Sequence, residues 1–272
     1  MSSDLILTHT HGQVTTLTMN MPARLNGWTM PMMTALKDAL RAADADPEAK
    51  AIVLTGADPY YCAGVNLGAT LGLDHPRRLH AQIVAHNQAI FDAFLDLDTP
   101  ILVAVNGPAI GACVTSATLC DGIMASEKAT FSTPFAALGV PPEGCSSEMF
   151  PRLLGEAAPR LLGAEGFRPT AAQAKEIGLV QWVVPHAELM AQAQQLAEEW
   201  VAQGAPRRFR AGFTRQELKA VNAKESQQVA TAFLSPPFLM GQFRFLWGKK
   251  KRRLALMFLA LRLTRPAWAL LL

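Results

Sequence analysis

The chain has 272 residues, half of them hydrophobic and 17% charged, with a net charge of +3. That apolar content supports a sizeable core, in one large domain or two small ones, and excludes a disordered chain. Eight of the 25 Lys/Arg and none of the 22 Asp/Glu lie after residue 225. This balance argues against a nucleic-acid binder and leaves only a basic C-terminal patch.

Residues 4–19 alternate as strands, with His11-Gly12 as a hairpin turn. Residues 30–45 have helical periodicity, with Met33, Leu36 and Leu40 on one side. Residues 51–55 are a short apolar run ended by Gly56, the pattern of a buried parallel strand. A helix over 79–95, a buried strand over 100–105, a small-residue helix over 111–119 and a strand over 122–125 follow. This alternation predicts an α/β fold with strands covered on both sides. Helix over 170–177, strand over 179–184 and helix over 186–203 come next. From 205 to 250 the pattern is helical throughout, broken near Ser235-Pro236-Pro237. Three regions are therefore expected: a core over 1–204, a helical region over 205–250, and a basic, apolar tail over 251–272.

Arg262, Arg265 and Pro266 interrupt the tail, which reads as a poor transmembrane helix. Its run from Lys249 to Arg253, followed by Leu254, Leu256, Met257, Phe258 and Leu261, suits a helix lying on anionic lipid, a lesser alternative. The N-terminus has no secretory pattern, and Cys62, Cys113, Cys120 and Cys145 lack metal-ligand spacing. Reduced thiols and a cytoplasmic protein are expected. None of the six histidines sits in a nucleophile motif.

Two glycine-bearing loops follow strands: Tyr61-Cys62-Ala63-Gly64-Val65-Asn66-Leu67 and Asn106-Gly107-Pro108-Ala109-Ile110-Gly111-Ala112. Neither is a phosphate fingerprint. As a pair they can offer two backbone N–H groups to one carbonyl oxygen. A third segment, Pro141-Pro142-Glu143-Gly144-Cys145-Ser146-Ser147, places a carboxylate before residues suited to cap a helix running into Met149-Phe150.

These loops, with Pro22-Ala23-Arg24-Leu25-Asn26 before them, resemble the crotonase (enoyl-CoA hydratase/isomerase) superfamily from near the N-terminus to about Lys250. The stretch Ala129-Thr130-Phe131-Ser132-Thr133-Pro134-Phe135, then Leu138-Gly139 and Pro142 to Ser147, is similar to the peroxisomal-type Δ3,Δ2-enoyl-CoA isomerase branch. The resemblance implies a spiral of ββα turns with helical C-terminal elements that build a homotrimer or hexamer. It implies an acyl-CoA thioester as partner and substrate, no metal and no cofactor beyond the substrate's own coenzyme A. Its oxyanion donors would be the N–H groups of Val65 and Ala112. CoA would lie along backbone at Ala23, Leu25 and Ala63, with Arg24 near its phosphates, and Lys249-Lys250-Lys251 stands where related proteins often present a basic residue to CoA. Gly64, Leu67, Gly111, Thr115, Phe135 and Leu138 complete the implied substrate-binding set.

Departures from the family pattern narrow the chemistry. Hydratases carry glutamates where this chain has Thr115 and Phe135, neither able to exchange a proton as a carboxylate does. Glu143 stands where the isomerase branch carries its single base. Burial against Phe135 and Leu138 is expected to raise its pKa. The alternatives are another hydratase-like chemistry and a catalytically silent acyl-CoA-binding module. The concentration of Phe233, Phe238, Phe243 and Phe245 is expected at subunit contacts.

Overall fold

The computed structural model describes residues 4–65, 74–163 and 166–272. Strands β1 (Ile6–His11) and β2 (Val14–Met19) form the expected hairpin, His11 opposite Val14. The sheet then grows by parallel pairing through β3 (Ala51–Gly56), β4 (Ile101–Val105), β6 (Gly122–Ser126) and β8 (Trp182–Val184). A second small sheet pairs β5 (Ala109–Ile110) with β7 (Phe131–Ser132). Isolated parallel bridges continue that layer at Cys62–Ala109 and Trp28–Val65.

Among the described residues the first helices are α1 (Met30–Ala45), α2 (Pro76–Leu95), α3 (Ala112–Thr118), α4 (Phe135–Leu138) and α5 (Ser146–Leu154). They are followed by α6 (Ala158–Leu162), α7 (Ala171–Glu176), α8 (Leu189–Ala202), α9 (Arg215–Phe233), α10 (Pro236–Gly248) and α11 (Arg252–Trp268). The runs β4-β5-α3 and β6-β7-α4 repeat one ββα turn, the spiral that the resemblance implies.

Every residue of β3, β4 and β6 is buried, so these strands read as unbroken apolar runs. Ile52 and Leu54 face the main core, and Ala51 and Val53 face the layer where α8 packs. Leu179 and Val180, expected in the last strand, instead donate their N–H groups to the Ala174 carbonyl and close α7. The strand is thereby shortened to Trp182–Val184.

Helix α9 packs along α2, and α10 packs on α11. A second core joins Val229, Phe233, Phe238, Leu239 and Phe258 to Leu79, Ile83 and Val140. Phe233 and Phe238 stack there, ring centroids 4.6 Å apart. The aromatic cluster read as a subunit contact is therefore largely used inside the chain; Phe245 stays exposed. The tail also differs from expectation. Arg262, Arg265 and Pro266 do not break it, and Arg252–Leu271 is helical, long and apolar enough to cross a membrane by length and composition.

Candidate active site

Asn26 organises the approach to the site. It is fully buried, its Oδ1 accepts from Met21 N–H at 2.9 Å, and its Nδ2 donates to the carbonyls of Ala57 and Tyr60, both at 2.7 Å. One amide ties the loop of residues 21–26 to the loop of residues 57–60. Ala63 N–H then donates to Leu25 O, Trp28 N–H to Gly64 O and Ile110 N–H to Cys62 O. The first glycine loop is thus clamped between its neighbours. Gly64 has φ +79°, and a Cβ there would lie 2.4 Å from the Ile110 carbonyl oxygen, so no other residue fits.

This clamping leaves two donors over. Among the described residues, neither the Val65 nor the Ala112 N–H has a hydrogen-bond acceptor. Both residues line two adjoining cavities with Glu143 and Phe233. The first, of about 70 Å³, is walled by Met30, Met33, Ile83, Ile90, Phe91 and Val229. The second, of about 90 Å³, is walled by Ala63, Gly64, Ile110, Gly111, Phe135 and Leu138.

Glu143 is 7% exposed at the junction. Its Oε2 accepts from Asn87 Nδ2 at 2.7 Å, and Asn87 Oδ1 in turn accepts from Ser226 Oγ at 2.9 Å. Oε1 has no hydrogen-bond donor among the described residues. Burial pushes the carboxyl pKa up to about 7; the Asn87 bond opposes this rise and the charge of Glu225 adds to it. The upward direction is the one expected from the sequence.

The sequence-named residues divide. Val65, Ala112, Glu143, Ala63, Gly64, Gly111, Phe135 and Leu138 come together around the cavities. Ala23, Arg24 and Leu25 are exposed outside them, joined to the site through the Ala63–Leu25 bond. Leu67 lies outside the described residues. Thr115 is a correction: it is fully buried, lines neither cavity, and its hydroxyl donates to Ala112 O at 3.1 Å. Its side chain packs beside Gly144, where a Cβ would meet its Oγ1 at 2.5 Å.

The segment after Glu143 also corrects the sequence reading. Ser146 and Ser147 do not cap α5. The capping group is Glu225, 1% exposed on α9, whose carboxylate accepts from Cys145 N–H at 2.6 Å and Ser147 N–H at 2.8 Å. Burial raises the Glu225 pKa, against the pull of those bonds. A carboxylate at the start of a helix is favoured by the unpaired N–H groups there. Glu225, Ser226 and Asn87 were invisible in sequence because their partners lie up to 139 positions away. Their only sequence signal is polarity on otherwise packed helices.

Gly144 makes the tight turn possible at φ +64°; a Cβ would sit 2.5 Å from both Phe91 Cε1 and Thr115 Oγ1. Gly144→Ala is therefore expected to lower stability by about 2–4 kcal/mol. Denaturant unfolding checks this, with a change in midpoint at constant slope.

One histidine does stand in a Ser/His/Asp string: Ser126 Oγ lies 3.1 Å from His186 Nδ1, and His186 Nε2 lies 3.2 Å from Asp58 Oδ2. Ser126 is fully buried and receives Lys128 N–H, so the string fastens β6 to neighbouring loops and exposes no nucleophile.

The family profile described as enoyl-CoA hydratase/isomerase matches residues 9–236. The chain belongs to the enoyl-CoA hydratase/isomerase family. It is 30% identical over 264 residues to enoyl-CoA delta isomerase 2 of Rattus norvegicus, covering 90% of this chain and 64% of that protein. It thus spans less than two thirds of that relative's length. A Rhizobium meliloti protein named "Probable enoyl-CoA hydratase" is 35% identical over 199 residues, covering 73% of this chain and 76% of that protein. A crystal structure of an enoyl-CoA hydratase/isomerase from Pseudoalteromonas atlantica matches with TM-score 0.76 and 28% identity, over 90% of this chain and 97% of that one.

Proposed function

We propose that the chain is a Δ3,Δ2-enoyl-CoA isomerase acting on acyl-CoA thioesters. The observation that carries this is one buried carboxylate, Glu143, at the wall shared by two apolar cavities with the N–H groups of Val65 and Ala112, which have no acceptor among the described residues. A 1,3-proton shift needs one base. Glu143 takes the proton from C2 of a 3-enoyl thioester, the two N–H groups hold the dienolate oxygen, and the same carboxyl returns the proton at C4. Hydration needs a second acid–base group to deliver water, and Thr115 and Phe135 supply none. The Asn87 bond fixes Oε2 and leaves Oε1 to move the proton. Purified protein assayed with 3-enoyl-CoA and 2-enoyl-CoA side by side tests this: rapid isomerisation with slow hydration supports it, and the reverse ratio defeats it.

The pH profile follows from the raised pKa. The base form of Glu143 is the active one, so kcat/KM is expected to rise with pH through about 7 and then level off. A profile flat between pH 5 and 9 would remove Glu143 as the base. Assembly as a trimer or hexamer belongs to the same reading.

A further inference from the structure

The last helix is packed on one side only. Its inner face buries Ala255 and Phe258, with Leu254, Met257 and Leu261 around them. Its outer face carries Leu256, Leu263 and Leu270, which are 52%, 67% and 84% exposed. Those positions are seven residues apart, about two turns, so they form one stripe, with exposed Ala260 and Ala267 between them. A continuous exposed apolar stripe of this kind is normally covered by protein or lipid. Within this helix only Ala255 and Phe258 are buried.

Charge identifies what covers it. Lys249, Lys250, Lys251, Arg252 and Arg253 are all exposed at the start of the helix. No Asp or Glu follows residue 225 to pair with them. Just before them, Trp247 and Phe245 are exposed, with the Arg252 guanidinium 3.8 Å from the Trp247 ring and Lys249 6.0 Å from the Phe245 ring. Exposed aromatics beside cations at the edge of an apolar face suit the headgroup level of a bilayer.

We propose that this face docks on an anionic lipid bilayer, with α11 lying in the interface, its leucines at the acyl boundary and the five cations on the headgroups. Spanning is disfavoured because the inner face is held to the second core and Arg265 Nε donates to Leu234 O at 2.8 Å. A two-fold pairing of this face with itself brings five more cations and no acid from residues 226–272 to meet them. The proposal stands independently of the isomerase reading.

The test is flotation of the full chain with vesicles of equal parts phosphatidylcholine and phosphatidylglycerol, and with phosphatidylcholine alone, with light scattering on each protein. Wild type is expected to float with the mixed vesicles and stay down with the neutral ones. Replacing Lys249, Lys250 and Lys251 together by Ala should weaken binding roughly a hundredfold at moderate salt. Leu256→Gln with Leu263→Gln should weaken it as well, with near-UV circular dichroism and particle mass unchanged. Absence of flotation, or equal flotation with neutral vesicles, overturns the proposal. So does a leucine variant that changes particle mass while floating as wild type, because a second copy of the chain would then be the occupant.

Discussion

Glu143→Gln abolishes isomerisation in the reading given above. The amide keeps the volume of the side chain, and its oxygen can still accept from Asn87, but it cannot take a proton from C2. A loss of about 10²–10⁴ in kcat is expected, with acyl-CoA binding retained. Stability provides a second readout with the opposite sign. A carboxyl whose pKa is raised to about 7 binds its proton more readily in the folded protein than in the unfolded chain. Folding stability therefore falls as pH rises from about 4.5 to about 7, and this penalty persists above that range. Glu143→Gln should be more stable than wild type at pH 8, by on the order of 3 kcal/mol, and show no such gain near pH 4. Thermal unfolding at the two pH values measures it. Isomerase activity that survives the substitution identifies a different base.

Ala112→Pro should be the second most damaging change to turnover while sparing the fold. Ala112 is the first residue of α3, a position where proline is accepted because its N–H has no partner within the helix. The substitution removes one of the two donors assigned to the dienolate oxygen. A single lost donor of this kind costs about 10²–10³ in kcat. Single-turnover kinetics should locate the loss in the proton-transfer step, with thermal unfolding close to wild type. An unchanged kcat would mean that Ala112 N–H does not face the reacting oxygen.

What could be read from the sequence was what is local. Ala51 to Gly56 is apolar without interruption because both faces of β3 are covered, and that needs no knowledge of what covers them. Gly64 and Gly111 mark the two loops because those turns require glycine-like backbone. Glu143 could be found because it stands beside Pro142 and Gly144 in a recognisable order. What the sequence hid was the support arriving from far along the chain. The cap on α5 was read as Ser146 or Ser147, the nearest residues of the right type, whereas Glu225 fills the role from a helix 80 positions later. Thr115 was placed in the site by its position in a pattern, but its hydroxyl turns back to the helix backbone. The phenylalanines of α9 and α10 looked like an interface because their mutual packing depends on how the two helices fold together.

The dependence of Glu143 on α9 sets an order of events during synthesis. The glycine loops, α3 and Glu143 are all made before residue 215 exists. Until α9 arrives, the turn after Glu143 lacks its cap, Asn87 lacks the Ser226 hydroxyl, and the first cavity lacks the wall made by Val229 and Phe233. Closing such distant contacts is slow relative to forming local helices. The nascent chain therefore carries every reacting group well before it can use them, and competence arrives with the last quarter of translation.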